Sequence, residues 1–234
     1  SFLRVIMLPE IDLDSVFKYS GGGFLVLEYL IELISGKSIN DITKQFFDNL
    51  GIEVSSFNQK SDLENTYANG YDIDGKLIID GYKKFPSFAA GMMGNSKELL
   101  VFLEHLAIAY RNLLGSGGIS HDTAVSMLNG TDKGCQDFMG ANMGQGVFIL
   151  EAGDNKLALH QGANDGFRSI YIYCFDGPDK FKGLSLLCNG ELNGVLLNSL
   201  IAQQVLVQLN ISGIDFSKFK NNFDIKSIPS EEIV

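Results

Sequence analysis

The sequence predicts an α+β fold, with helices first and an antiparallel sheet after them. Up to about Leu128, apolar residues recur every three or four positions, the period of helices packed by one face. Beyond Gly144 the period changes to two, in short runs bounded by glycine turns. An apolar helical stretch, Val195 to Leu209, closes the pattern, and segregation of this kind marks an α+β chain. At 234 residues with 45% hydrophobic side chains, the chain can bury one generous core or two small ones.

Each element has its own signal. Ser20-Gly21-Gly22-Gly23 opens a helix from Phe24 to Ser35, with Phe24, Leu27, Leu30, Ile31 and Ile34 at helical spacing and Gly36 as its stop. Glu28 and Glu32 interrupt it, so it reads as amphipathic and too polar to span a membrane, which takes about 20 apolar residues. A second helix covers Ile39 to Asn49 and stops at Gly51. From Glu53 to Phe85 the composition is polar, and Asp72-Ile73-Asp74-Gly75 reads as a turn. It lacks the further acidic positions of a calcium loop. Asn95, with Glu98 three residues on, caps a helix expected to run to about Leu114. Ser120 starts a short one ending at Leu128. Strands are expected at Val147–Glu151, Lys156–His160, Ser169–Phe175 and Gly183–Cys188. The tail from Ser212 to Val234 has no firm pattern.

Composition excludes several function classes. A net charge of −10 argues against a nucleic-acid partner, which needs a basic face. Cys135, Cys174 and Cys188 are odd in number and lack CxxC spacing, so they imply neither a disulfide framework nor a zinc site. The three histidines, His105, His121 and His160, are too scattered to suggest a metal cluster. Nothing in the chain requires a cofactor.

The segment from Leu157 to Tyr173 carries the most chemistry. It places His160, Gln161, Asn164, Asp165 and Arg168 between two strand-like runs, where a hairpin with solvated polar residues and a ligand-facing strand edge are both open readings. His160-Gln161-Gly162 resembles the third motif of penicillin-recognising serine hydrolases, a Lys-Thr-Gly or His-x-Gly triplet on a strand beside the active site. Tyr19-Ser20-Gly21, with its glycine turn and a helix ending Gly36-Lys37, resembles the second motif of the class C β-lactamase-like members. Lys84-Phe85-Pro86 to Met92 looks like their substrate-rim loop. The motifs occur in the family's order, with 141 residues between Tyr19 and His160. The resemblance covers about Val16 to Leu209. Tyr67-Ala68-Asn69 spells the second motif more literally but lacks the glycine turn and helix, and is read as a decoy.

The resemblance implies acyl transfer to a serine, with a small-molecule or peptide acyl substrate, no cofactor, and a periplasmic or secreted setting. Tyr19 would act as, or share, the general base, helped by a nearby ammonium group. His160 would stand where the motif lysine does, giving hydrogen bonding and a tunable charge. Gly162 completes the triplet, and the Ala163 N–H would be one of two oxyanion donors. Asn164 and Arg168 could meet a substrate carboxylate or amide, or serve the structure.

Two departures matter. Gly21 stands where many relatives have Asn. The Ser-x-x-Lys pair that supplies the nucleophile is absent from its expected place, some tens of residues before Tyr19. The literal matches are Ser15-Val16-Phe17-Lys18, which abuts Tyr19, and Ser217-Lys218-Phe219-Lys220, which lies in the tail. Neither suits the role. The expectation is a partial β-lactamase/transpeptidase-like domain over residues 1–210, mainly helical to 140 and then sheet plus final helix, followed by an extension over 211–234. The N-terminal part of the fold, with the nucleophile, would be a missing partner segment. A non-catalytic binding protein on the same scaffold is the alternative. A phosphate cradle at Gly21–Gly23 is a third, and it lacks the preceding strand that site needs.

Overall fold

The structure, a computed structural model, describes residues 19–57, 67–81, 85–130 and 140–217. Lys84, Cys135, the Ser15–Lys18 match and most of the Ser217–Lys220 match lie outside them. The alternating half forms one antiparallel sheet of five strands in sequence order: β1 (Asn142–Met143), β2 (Phe148–Ala152), β3 (Asn155–Asn164), β4 (Phe167–Asp176) and β5 (Gly183–Cys188). β3 and β4 are longer than their periodicity suggests, because Gln161 to Asn164 pair with the opposite strand instead of looping out. The ladder is centred on Asp165-Gly166, with Asn164 opposite Phe167, Gly162 opposite Ser169 and His160 opposite Tyr171. Gly166, at φ +78°, takes the left-handed conformation that this two-residue reversal requires.

Strand alternation sends apolar side chains to both faces, and both are covered. Leu157, Leu159, Ile170, Ile172 and Cys174 meet Ala202 and Leu206 of the last helix, α7 (Ala202–Gln208). Ala158, Tyr173 and Phe175 meet Leu103, Leu106 and Ala107 of α4 (Ser96–Tyr110) and Ala124 and Leu128 of α5 (His121–Leu128). The core continues past residue 210, with Ile211 buried and Ile214 and Phe216 packed against it.

Before the sheet come α1 (Gly21–Ser35), α2 (Ile39–Leu50) and the single turn α3 (Ser87–Ala90). Ser20 and Ser38 cap α1 and α2 through their hydroxyls, and Gly36 and Gly51 end them in the left-handed region. Three expectations need correction. The helix expected to reach Leu114 stops at Tyr110, because Asn112 sits at φ +54° and Leu114 is fully exposed. The closing helix is three pieces, α6 (Glu191–Leu196), a π-helical turn (Leu197–Ile201) and α7. The π turn contains buried Asn198, whose side chain reaches the Ser169 carbonyl. Finally, the apolar face of α1 is not buried: no α1 residue is. Among the described residues, no helix is long and apolar enough to cross a membrane.

One buried carboxylate ties the helical half together. Glu98, in the first turn of α4, accepts hydrogen bonds from the backbone N–H groups of Glu53, Val54 and Ser55 and from the Ser55 hydroxyl, at 2.6–3.0 Å. Its burial alone pushes its pKa up. The bonds from Ser55, Val54 and Glu53 outweigh that and hold it below the ordinary 4.5. A carboxyl with a depressed folded-state pKa adds stability that is complete above 4.5 and is lost as pH falls through the lower folded value. Glu98→Ala orphans three backbone donors and should cost about 2 kcal/mol. Urea denaturation should show a lower midpoint at neutral pH, with the gap to the parent chain narrowing on acidification.

Candidate active site

The β3–β4 hairpin projects past its neighbour. Among the described residues, β2 pairs with β3 only as far as Phe148 opposite Leu159, so from His160 onward that edge of β3 has no strand partner. A two-residue turn makes Asn164–Phe167 the closing hydrogen-bonded pair, and hydrogen-bonded and non-hydrogen-bonded pairs then alternate down the ladder. Gly162–Ser169 and His160–Tyr171 therefore also face β4 with their backbone groups. Gln161 and Ala163 turn theirs the other way, to the open edge. A Cβ at Gly162 would meet the Ser169 hydroxyl, which would have to turn away to admit it.

Two side chains meet on that edge. Tyr19, just before the cap of α1, is half exposed and lies with its hydroxyl 3.4 Å from Nε2 of His160. The other ring nitrogen, Nδ1, is 2.6 Å from the Gln161 carbonyl. A carbonyl only accepts, so Nδ1 carries the proton and Nε2 presents its lone pair to the Tyr19 O–H. Burial pushes the imidazole below its ordinary 6.5, against the opposing pull of the Gln161 bond. His160 is thus neutral at pH 7. Its ring is placed to hydrogen-bond Tyr19, and the lowered pKa favours the uncharged form at neutral pH.

Aromatic rings complete the surroundings of His160. Phe148 lies 5.3 Å away and Tyr171 6.4 Å away between ring centroids, and Tyr19 stacks near Phe148. Burial, and secondarily the neighbouring Tyr19, push the Tyr171 phenol above its ordinary range. Of the two phenols beside His160, Tyr19 is the solvent-facing one. Periodicity did not single out Tyr171, though its place opposite His160 follows once Asp165-Gly166 is taken as the turn.

The remaining candidates are engaged within the chain. Asn164 donates to the Ala90 carbonyl at 2.9 Å and so holds α3 at the rim. Glu28 of α1 holds the same turn from its other side, accepting the Phe88 N–H at 3.0 Å. Arg168 donates to the carbonyls of Asn164 and Phe167 and pairs with Glu191 of α6 at 3.4 Å. Asn69, of the decoy triplet, accepts the Asn189 side chain through its backbone carbonyl, and the tyrosine whose hydroxyl meets His160 is Tyr19. Gly21–Gly23 form the first turn of α1 beneath the Ser20 cap.

The sequence model of the Beta-lactamase family matches residues 9–203. No curated protein matches the chain. Among solved structures, it is similar to the octameric penicillin-binding protein homologue of Pyrococcus abyssi (22% identity, 85% of this chain and 44% of that one, TM-score 0.63). It is also similar to the D-amino acid amidase of Ochrobactrum anthropi SV3 complexed with L-phenylalanine amide (17% identity, 88% and 58%, TM-score 0.59). A class C beta-lactamase mutant matches at 15% identity, over 86% and 60%, with a TM-score of 0.63. The chain therefore spans between 44% and 60% of these three structures. At such identities the likeness is one of fold, while the match of the family model over most of the sequence settles membership: the chain belongs to the Beta-lactamase family.

Proposed function

We propose that this chain forms the base and oxyanion side of a serine acyl-transfer hydrolase centre, with the nucleophile contributed by a segment outside this sequence. The contact between the exposed Tyr19 hydroxyl and the lone pair of His160 carries this reading. As a serine hydroxyl attacks the acyl carbon, its proton passes to the Tyr19 oxygen while the Tyr19 proton moves to Nε2 of His160. The oxyanion that forms takes the Ala163 N–H, which faces the same open edge. Collapse expels the leaving amine or alcohol, which takes the proton back, and water then cleaves the acyl-serine. A neutral histidine accepts a proton where a lysine ammonium would only polarise, so the chemistry is a relay.

The substrates that fit are carbonyl compounds with a departing amine or alcohol: amides, D-amino-acid peptides, β-lactams and small esters. The similar structures lend support to amides, since one is a D-amino acid amidase with an amino acid amide and another a β-lactamase/D-alanine carboxypeptidase. A second reading, a binding protein on the same scaffold, draws on the lack of Ser-x-x-Lys at motif spacing in these 234 residues.

Labelling with a fluorescent fluorophosphonate separates the two. The full-length gene product should label, and Tyr19→Phe and His160→Ala should each slow labelling by about 10²–10⁴-fold. The 234-residue chain alone should stay unlabelled, and a label on it would refute an external nucleophile. A full-length product that never labels supports the binding reading. A second expectation concerns His160 itself. Its ring should titrate below 6.5 by NMR, with Nδ1 protonated and Nε2 bare at pH 7. Labelling should accordingly rise with pH through that midpoint and then level off, whereas a midpoint above 6.5 would exclude the relay. The same depressed pKa makes the fold lose stability as pH drops below 6.5, since the unfolded state binds the proton more readily.

A further inference from the structure

A cavity of about 480 Å³ lies between α4 and the start of β5, lined by Lys97, Leu100, Val101 and Glu104 of α4 and by Tyr173 and Phe181. That is the size of a small-ligand site. The register of the sheet explains why the space is open. Gly183, opposite Tyr173, has no side chain to fill it, and a Cβ there would press on the Tyr173 ring and the Ile172 carbonyl. Just before it, Phe181 sits at φ +70°, a left-handed conformation that a bulky residue rarely takes. Its N–H donates to the Cys174 carbonyl at 2.7 Å, and the Lys182 carbonyl accepts the Cys174 N–H at 2.8 Å. This is a bulge whose first residue is ordinarily glycine. A phenylalanine there keeps its ring, 38% exposed, at the wall of the cavity.

The chain leaves the polar groups of this cavity open. Among the described residues, Lys97, Glu104 and the Tyr173 hydroxyl make no hydrogen bond or ion pair. Burial first, and then the Glu104 charge, push the Tyr173 phenol up to about 12, so at neutral pH it keeps a proton to donate. Two residues along β5 from Gly183, on the same face, the Ser185 hydroxyl is buried with no partner among the described residues. Buried polar groups in a folded chain are normally paired, so these donors ask for a partner from outside.

Opposite charges stand at the two ends of an apolar wall. Lys97 and Glu104 are seven residues apart on α4, about 10 Å along its axis, and Leu100 and Val101 lie between them. A simple anion would also meet Glu104 and a simple cation Lys97, so the fitting occupant carries both signs. One amino acid is too short to reach both charges, whereas an extended dipeptide spans about 7 Å.

We propose that this cavity binds a short zwitterionic peptide, about two residues long, with apolar side chains. Its carboxylate pairs with Lys97 and its ammonium with Glu104, while the Tyr173 hydroxyl donates to its peptide carbonyl. Its side chains lie on Leu100, Val101 and the Phe181 ring. The site is separate from the Tyr19–His160 pair, since Tyr173 lies one same-face position beyond Tyr171, about 7 Å along β4. The inference therefore goes beyond the acyl-transfer reading and does not depend on it.

Titration calorimetry of the full-length gene product with leucyl-phenylalanine tests it. The dipeptide should bind saturably, at one site per chain. Its N-acetyl and C-terminal amide forms, each lacking one charge, should bind about tenfold or more weakly. Glu104→Gln and Lys97→Gln should each weaken the free dipeptide by a similar factor, with the circular dichroism unchanged. Lys44→Gln and Glu151→Gln make the same charge changes at exposed positions elsewhere and should leave the affinity alone. Tyr19→Phe should also leave it alone while slowing fluorophosphonate labelling, and this separates the two sites. Loss of dipeptide binding in Tyr19→Phe would place the peptide at the catalytic pair and overturn the inference. Equal binding of the capped forms, indifference to both cavity variants, or no binding at all would overturn it as well.

Discussion

Everything at the site depends on the register of one hairpin. β3 and β4 bury both faces, so a one-residue slip would turn Leu157, Leu159, Ile170 and Ile172 from one core into the other and take His160 with them. Asp165-Gly166 prevents that slip at the tip, and the packed helices prevent it at the base. Because the ladder is fixed, the directions of its backbone groups are fixed too. The Ala163 N–H and the Gln161 carbonyl face outward for the same geometric reason that Gly162 faces β4.

The Gln161 carbonyl has a consequence beyond the backbone. By binding Nδ1 of His160 it decides which nitrogen holds the proton, and by doing so from the edge it aims Nε2 at Tyr19. Aromatic neighbours lower the polarity around the ring and keep it uncharged. A lysine in the same place would bring a fixed charge and no lone pair at neutral pH. On the proposed reading, a buried histidine there serves to receive a proton rather than to hold charge.

Much of this was legible in the sequence where the signal is local. Gly36, Gly51 and Asn95 with Glu98 mark helix ends through groups a few residues apart, and those ends lie where expected, while α1 begins at Gly21, three residues before the expected Phe24. Gly183–Cys188 alternates cleanly and forms that strand. The extension of β3 was not legible, because Gln161 to Asn164 are polar and short of alternation, and only the partner strand recruits them. The inward turn of Glu28 and Glu32 was hidden for a related reason. A helix that is apolar on one side announces a buried face, and only the contact from Glu28 to Phe88, 60 residues away, reveals that the face turned inward is the acidic one. Tyr19 and His160 came together through the order and spacing of family motifs, whereas the neutrality of His160 depends on burial by distant rings and has no local spelling.

The far edge of the sheet raises a different matter, that of keeping the protein in solution. Among the described residues β5 pairs only with β4, and its sequence Gly-Leu-Ser-Leu-Leu-Cys holds no charge and no proline. Edge strands are normally guarded by such residues against joining the edge of another molecule. Here the guard is global, the mutual repulsion of chains that each carry −10. Repulsion of that kind fades beyond about 8 Å at physiological salt and vanishes as pH nears the isoelectric point of 4.7. Salt and acid thus weaken the repulsion that would keep an uncharged strand edge away from its copies.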